Sequence, residues 1–303
     1  MSNIIITGVT SFLGSNLAGR LLADGNNVWG IVRPESKNID SVKNIDGLNL
    51  IYLNFDKFED GKSICDEILE HTQTKIDVWI HFSWDGSGSA GRSDVNIQKK
   101  NINNAMKAYL AADSLGSKRF IFSGSQAEYG DGTKEKPNPK SPYGKAKLEF
   151  GNWVNEQTSS MEFVHLRIYS IYGIGDHPGS LVNSCIKTFL RNEDMVMGPC
   201  TQEWNYMDIR DCTSAIAMLA ERDSVTEGIF EIASENGKKL KAYVEDIWKI
   251  CGESGKCMFG QRENNAEGAA DLIADVTRLK DIGFKEKYTF EEGIKNLIDS
   301  GTL

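Results

Sequence analysis

Two periods of apolar and polar residues alternate along the chain, and each switch between them marks an element. Asn3 to Thr7 is a short apolar run, and the turn Gly8-Val9-Thr10-Ser11-Phe12-Leu13-Gly14 follows it. Leu13, Leu17, Leu21 and Leu22 then recur at helical spacing until Gly25 closes the pattern. Runs at Asn27 to Arg33, Leu48 to Leu53, Ile76 to Phe82, Lys118 to Ser123 and Glu162 to Ile168 predict five further strands. Asp94 to Asp113 predicts a long helix, and Ser141-Pro142 opens another, since serine suits an N-cap and proline the first helical position. Strands alternating with helices predict an α/β chain with a doubly wound parallel sheet.

Beyond Tyr169 the pattern changes. Gly173, Gly175, Pro178 and Gly179 interrupt it, a helix is expected from Leu181 to Arg191, and shorter elements follow. Among these are a strand from Trp204 to Ile209, a helix from Asp211 to Glu221, and helices near Tyr243 to Ile250, Thr277 to Ile282 and Phe290 to Ile298. The expected division is a first domain over residues 1–170, with 204–222 returning to it, and a second, smaller α/β domain over 171–203 and 223–303.

With 303 residues the chain can bury a full core in one large or two modest domains. Thirty-four basic against 43 acidic side chains give a formal charge of −9, and no Lys/Arg cluster tracks a phosphate backbone, so nucleic acid is not an expected partner. Cys65, Cys185, Cys200, Cys212, Cys251 and Cys257 lack metal-ligand spacing, and no metal site is expected. The N-terminus reads directly as a strand, so no signal peptide is expected, and no apolar run reaches membrane-spanning length. A reduced, cytoplasmic protein is the expectation.

The candidate chemistry begins at the first turn. Strand, glycine turn and helix form the context in which Gly8 permits a tight bend and the helix N-terminus receives a pyrophosphate, with Ser11 in place of the usual middle glycine. Gly8, Ser11, Phe12, Leu13 and Gly14 are therefore candidate cofactor residues. The end of the second strand should carry an acid for the ribose of NAD, but holds Val32 and Arg33. A guanidinium there favours the 2′-phosphate of NADP(H), with Ser36 or Lys37 as helpers; NAD(H) stays possible. Asp56 is a candidate for the adenine edge, and Phe82 and Ser83 complete the cofactor set. The small, flexible loop Ser83 to Ser93, with Trp84, Asp85 and Arg92, suits a ligand-facing position. Tyr143 and Lys147 lie four apart and share a helical face. A phenol titrates near a pKa of about 10, and a cation beside it stabilises the phenolate. Ser125 leaves the fifth strand on the side of the sheet where Tyr143 emerges. Arg210, Arg262 and Arg278 are candidate grips for a diphosphate.

Taken together, these stretches resemble the extended short-chain dehydrogenase/reductase family of nucleotide-sugar epimerases, dehydratases and reductases. The resemblance runs nearly end to end. Thr7-Gly8 through Gly14 is similar to the family's cofactor turn, Lys118-Arg119-Phe120-Ile121-Phe122-Ser123 to its fifth strand, and Pro142-Tyr143-Gly144-Lys145-Ala146-Lys147 to its catalytic helix. Leu166-Arg167-Ile168-Tyr169-Ser170-Ile171-Tyr172-Gly173 looks like its substrate turn, with Ser170 where asparagine is usual, and Ala274-Asp275-Val276-Thr277-Arg278 resembles its C-terminal signature. The interval from Ser125 to Tyr143 is short for the family, which implies a differently shaped substrate loop.

The resemblance implies a Rossmann domain joined to a nucleotide-sugar domain, and a catalytic set of Ser125, Tyr143 and Lys147. In that set Ser125 bonds the carbonyl oxygen, Tyr143 exchanges its proton and Lys147 holds the nicotinamide ribose. Trp84, Gln126, Ser170, Trp204, Arg262 and Arg278 are the implied substrate contacts. Arg262 lies where members bind the diphosphate; Trp204 replaces a second arginine and is a candidate to stack on base or sugar. The family's 4,6-dehydratases carry an Asp-Glu pair after the catalytic hydroxyl, and its 3,5-epimerising reductases a cysteine at the second of those positions. Here the two are Gln126 and Ala127. Two readings remain, a 4-epimerase holding NAD tightly and an NADPH-dependent reductase of a nucleotide-linked 4-keto-6-deoxyhexose. Arg33 favours the reductase. Trp204 to Asp208 and His81 to Gly86 look most like the 4-ketoreductase branch exemplified by CDP-abequose synthase. A non-catalytic NADP sensor is the third reading, but such a protein would have lost Tyr143 or Lys147. The family also implies a homodimer through the long helix and the Tyr143 helix, with Ala105, Tyr109 and Ala112 as the expected stripe.

Overall fold

The structure, a computed structural model, describes residues 1–224, 226–262 and 273–302. From the N-terminus it runs β1 (Asn3–Thr7), α1 (Phe12–Ala23), β2 (Asn27–Val32), β3 (Asn49–Tyr52), α2 (Gly61–Thr72), β4 (Val78–His81), α3 (Ser89–Arg92), α4 (Val95–Ser114), β5 (Arg119–Ser125), α5 (Pro142–Asn155) and β6 (Glu162–Ile168). The sheet order is β3-β2-β1-β4-β5-β6, with the later strand Gly228–Ile232 beyond β6 as a seventh member. The pairings β1 with β2, β1 with β4, β2 with β3 and β4 with β5 are all parallel. Burial on both faces explains the nearly continuous apolar runs, and β4 is buried at every position. Strand order reverses at β1, so the sheet opens a crevice at the carboxyl ends of β1 and β4, the usual ligand position in such sheets.

Capping chemistry sets the helix starts. Ser11 accepts from the Gly14 N–H at 3.0 Å, Asp94 from Asn96 and Ile97, and Ser141 from Gly144 at 3.1 Å. Trp79, Tyr109, Phe120, Phe122, Phe150 and Phe163 fill a core between the sheet, α4 and α5. Ala105, Tyr109 and Ala112 belong to that core and are almost wholly buried. This corrects the expectation that they face a second subunit: the stripe faces this unit's own sheet.

The chain continues with β7 (Ser170–Tyr172), α6 (Leu181–Leu190), β8 (Met195–Val196), β9 (Glu203–Trp204), β10 (Tyr206–Asp208), α7 (Ile209–Glu221), β11 (Gly228–Ile232, the seventh sheet strand), β12 (Lys238–Lys239), α8 (Leu240–Ile250), β13 (Cys257–Met258), α9 (Thr277–Asp281) and α10 (Phe290–Asp299). One strand expected from Trp204 to Ile209 is two. Asn205 breaks it, clamping Ser234 by donating to its carbonyl at 2.5 Å and accepting from its N–H at 2.7 Å. On either side of that break β9 pairs antiparallel with β12, and β10 pairs parallel with β7. Helix α2 and strand β11 have no counterpart in the elements expected from sequence.

Two units result, Met1–Arg167 with Thr213–Phe230, and Ile168–Cys212 with Glu231–Leu303. The first boundary falls at 167 where the sequence suggests 170, and the returning stretch is 213–230 where it suggests 204–222. Pairing of β10 with β7 keeps Tyr206–Asp208 in the second unit. That unit packs Val182, Ile186, Phe189, Val244, Ile247, Ile294 and Leu297 into a core of its own. All six cysteines are free thiols. Among the described residues no helix is long and apolar enough to cross a membrane, and no group of three or more His, Cys, Asp or Glu residues is placed to hold a metal ion.

Candidate active site

Gly8 ends β1 at a φ of +73°, and a Cβ built there would lie 2.6 Å from the Ser83 backbone nitrogen. Only glycine lets the first turn pass so close to the chain leaving β4. The turn is closed by the Ser11 N–H donating to the Gly8 carbonyl at 3.0 Å. Ser11, where the familiar motif has glycine, caps α1 with its hydroxyl. Phe12 and Leu13 start the helix half-buried, and Gly14 is buried against the turn. A tight cradle followed by a twelve-residue helix N-terminus fits the pyrophosphate of a dinucleotide.

One cleft brings Gly8, Arg33, Asp56 and Ser83 together, with Asp85, Asn101 and Asn104 completing its wall. Phe82 is buried, and its backbone carbonyl carbon would lie 2.7 Å from a Cβ built on Gly8. The Arg33 Nη1 pairs with Asp85 Oδ2 at 2.8 Å, both side chains about half exposed. Asp85 is a fixed partner, because Asn101 accepts from its N–H at 3.0 Å and donates to its carbonyl at 2.8 Å. Asp56 accepts from Lys100 at 2.6 Å and from Asn104 at 3.0 Å. Partial burial works to raise its carboxyl, but these hydrogen bonds outweigh it and hold the group below its ordinary value.

The catalytic candidates meet where β5 and α5 touch. Ser125 is buried; its Oγ accepts from the Ala127 N–H at 3.2 Å, which leaves the hydroxyl proton to donate elsewhere. A Cβ on Gly144 would lie 2.3 Å from the Ala127 carbonyl oxygen, so the residue after Tyr143 seats α5 directly on the Gln126–Glu128 turn. Lys147, 2 % exposed, donates to the Ser123 carbonyl at 2.5 Å, and its ammonium lies 3.8 Å from the centre of the Trp84 ring and 5.7 Å from that of Tyr143. Burial pushes the Lys147 ammonium well below the ordinary lysine value, and the nearby Arg92 adds to this while Glu128 opposes it.

Trp84, the implied substrate contact on this loop, walls the cluster: its indole N–H donates to Gln98 at 2.8 Å, and its ring meets Tyr143 edge to face. Arg92, at the end of α3, stacks its guanidinium 4.5 Å from the Tyr143 ring centre.

Under Ser125 lies a charged cluster that sequence reasoning did not assign. Glu128, fully buried, accepts from the Ser125 N–H at 2.8 Å, from Arg167 Nε at 2.9 Å, and bonds His165 Nε2 at 3.0 Å. Burial alone would raise its carboxyl, yet His165 and Arg167 hold it below its ordinary value. A signal for the cluster exists in the sequence: His165 and Arg167 alternate on one face of a strand whose neighbours are apolar. His81, at the end of β4, is buried and bonds Thr7 Oγ1 at 2.8 Å; burial pushes its pKa down to about 3, so it is neutral.

The second unit holds the remaining substrate candidates. Ser170 on β7 pairs in register with Tyr206, and Trp204 tilts against Tyr206 with ring centres 6.4 Å apart, packed on that unit's core. Arg262 and Arg278 are exposed on separate segments, and Arg210 is held by Asp208 at 2.8 Å. A cavity of about 800 Å³ opens beside Tyr172, Tyr206, Tyr243 and Phe290. Its lysines and carboxylates are largely spoken for, Lys238 by Asp246 and Lys295 by Glu291, and none of the candidate residues lines it.

Residues 4–233 match the family model described as the NAD dependent epimerase/dehydratase family. Over 97 % of its length the chain is 23 % identical to the CDP-abequose synthase of Salmonella muenchen, covering 96 % of that protein. The fold superposes with a TM-score of 0.84 on the UDP-N-acetylglucosamine 4-epimerase from Methanobrevibacter ruminantium in complex with UDP-N-acetylmuramic acid, at 22 % identity and 98 % and 97 % coverage of the two chains. The Thermus thermophilus UDP-glucose 4-epimerase complex with NAD gives 0.84 at 18 % identity, covering 99 % of this chain and all of that one.

Proposed function

The chain belongs to the NAD dependent epimerase/dehydratase family, and we propose that within it this enzyme reduces the 4-keto group of a nucleotide-linked 6-deoxyhexose with NADPH. The observation that carries this reading is the state of the carboxylate nearest Ser125. Elimination of water, or deprotonation beside the ketone, needs an acid or base facing the sugar. Gln126 and Ala127 cannot serve. Glu128, next in line, is fully buried and committed to Ser125, His165 and Arg167. What this site supports is hydride and proton transfer at one carbon.

The cradle at Gly8 and the α1 N-terminus would hold the cofactor's pyrophosphate, Arg33 its 2′-phosphate, and Lys147 its nicotinamide ribose. A bound nicotinamide supplies the hydride. The Ser125 hydroxyl donates to the ketone oxygen and orients it. Tyr143 gives that oxygen its proton, leaving a phenolate with the Arg92 guanidinium and the Lys147 amine nearby. The second unit, through Ser170, Trp204, Arg262 and Arg278, takes the nucleotide and its diphosphate. CDP-abequose synthase, by its name a maker of a CDP-linked product, supports a nucleotide-linked substrate.

A second reading, a 4-epimerase with tightly bound NAD, is favoured by one observation: Arg33 is already paired with Asp85, a carboxylate in the same cleft as Gly8. The UDP-glucose 4-epimerase complex with NAD supports the same reading. Supplying NADPH with a panel of nucleotide-linked 4-keto-6-deoxyhexoses, and following cofactor absorbance, separates the two. Stoichiometric NADPH consumption by protein that arrives free of nicotinamide is the expected result. Protein arriving with one NAD per chain, and interconverting UDP-hexoses without net cofactor use, would establish the epimerase. A homodimer is proposed as well, on the family resemblance. Its test is molar mass by light scattering, and a monomer would refute it.

A further inference from the structure

We propose that Arg92 is a positioning residue for proton transfer by Tyr143: its guanidinium, stacked 4.5 Å from the ring centre, orients the phenol and stabilises the phenolate. This rests on the reading of Tyr143 as the proton donor. The contact is built by the loop that leaves β4. A Cβ on Gly91 would lie 2.3 Å from the Gly86 Cα, so the loop closes on itself at two glycines. Arg92 Nε donates to the Ser87 carbonyl at 2.9 Å, which fixes the plane of the guanidinium. One face of the Tyr143 ring then receives Arg92, while Trp84 meets the ring edge to face.

The alternative source of positive charge is Lys147, and its environment limits it. Its ammonium lies closer to the Trp84 ring centre than to that of Tyr143, 3.8 against 5.7 Å, and donates to the Ser123 carbonyl. Burial also disfavours its charged form. An arginine keeps its charge at every relevant pH, and a cation over an aromatic face is attracted to it even before the proton leaves. The other ionisable groups near the site are settled by their own partners. His81 is neutral, Glu128 is bound by His165 and Arg167, and Asp85 pairs with Arg33. When Tyr143 breaks its O–H bond and the ketone oxygen takes the proton, the charge left on the phenol oxygen has Arg92 as its permanent counter-charge.

The test needs no substrate. Tyrosinate absorbance of the full chain is titrated against pH, and the curve of a Tyr143→Phe version of the same protein is subtracted to isolate Tyr143. Arg92→Gln should raise the midpoint by about one pH unit or more, the usual effect of an opposite charge at such range, and Arg92→Lys should restore most of it. Added salt should raise the midpoint of the unmodified protein, since Arg92 is only partly buried. Arg92→Lys, which keeps the charge, is the second variant that decides the matter if Arg92→Gln folds poorly. An unmoved midpoint in Arg92→Gln, a lysine variant no better than glutamine, or a midpoint indifferent to salt would each overturn the inference. An unmoved midpoint in an active reductase rejects Arg92 alone; a shifted midpoint in a protein that reduces no ketose rejects the function alone.

Discussion

Replacing Asp85 by asparagine should strengthen NADPH binding and leave NADH binding almost unchanged. Arg33 and Asp85 form one ion pair at 2.8 Å with side chains 47 % and 45 % exposed. At that exposure the pair contributes about 0.2–1 kcal/mol. A 2′-phosphate engaging Arg33 gains roughly 1.5–3 kcal/mol as a charge-assisted contact, so it displaces or shares Asp85 with a net gain of about 1–2 kcal/mol. Asp85→Asn removes that competition and also the repulsion between carboxylate and phosphate, which in water is of order 1 kcal/mol per unit charge at about 4 Å. Together these make NADPH roughly five- to thirtyfold tighter, at about 1.4 kcal/mol per tenfold. Arg33→Ala should weaken NADPH by about tenfold or more while NADH changes little. Tryptophan fluorescence titrations of both cofactors, at low and high salt, measure all of this. The effects should shrink with salt, because both groups face solvent. If Arg33→Ala weakens the two cofactors equally, or Asp85→Asn changes neither, Arg33 does not read the 2′-phosphate and the epimerase reading gains.

Tyr143→Phe should lower turnover by about a hundredfold or more while cofactor binding stays nearly intact, whereas Lys147→Ala should damage both; normal turnover in the phenylalanine variant, with hydride transfer rate-limiting, would reassign the proton donor. Glu128→Gln leaves Arg167 buried without its counter-charge and should destabilise the fold by about 3–5 kcal/mol, read as a lower midpoint in urea. Because Glu128 titrates below its ordinary value when folded, its contribution is fully present above the unfolded carboxyl pKa and is lost as pH falls through the folded one. Acid unfolding of the glutamine variant should therefore be less steep, and identical pH profiles would show the cluster to be energetically silent. Gly144→Ala places a methyl 2.3 Å from the Ala127 carbonyl oxygen and should cost about 1–3 kcal/mol and reduce turnover, since the shift falls on the helix that carries Tyr143. Wild-type turnover and stability in that variant would mean the turn and the helix are not tightly seated.

The alternation of apolar runs with helical periods was enough to predict the parallel sheet, and β1, β6 and the start of α5 sit where that reading puts them, because central strands and capped helices impose their constraints locally. Helix α2 escaped it: Ile64, Cys65 and Ile68 make a thin stripe among charges, and α2 packs on α4, an element on the far side of β4 in the chain. Strand β11 escaped for a related reason, since a short run becomes a strand only when a neighbour such as β6 offers its edge. Ser125, Tyr143 and Lys147 could be named as candidates from the sequence because the Tyr-x-x-x-Lys spacing and the family resemblance single them out. Their surroundings were not. That Asp85 neutralises Arg33, that Trp84 covers Lys147, that Arg92 stacks on Tyr143 and that Glu128 joins His165 to Arg167 are contacts between residues 37 or more positions apart in the chain. The same holds for Ala105, Tyr109 and Ala112, whose stripe reads equally well as an interface or a core face until the sheet beneath it is in place. Periodicity tells which face of an element is apolar, and charge tells which side chains need partners. Which surface covers that face, and which partner meets that charge, depends on how distant segments pack together.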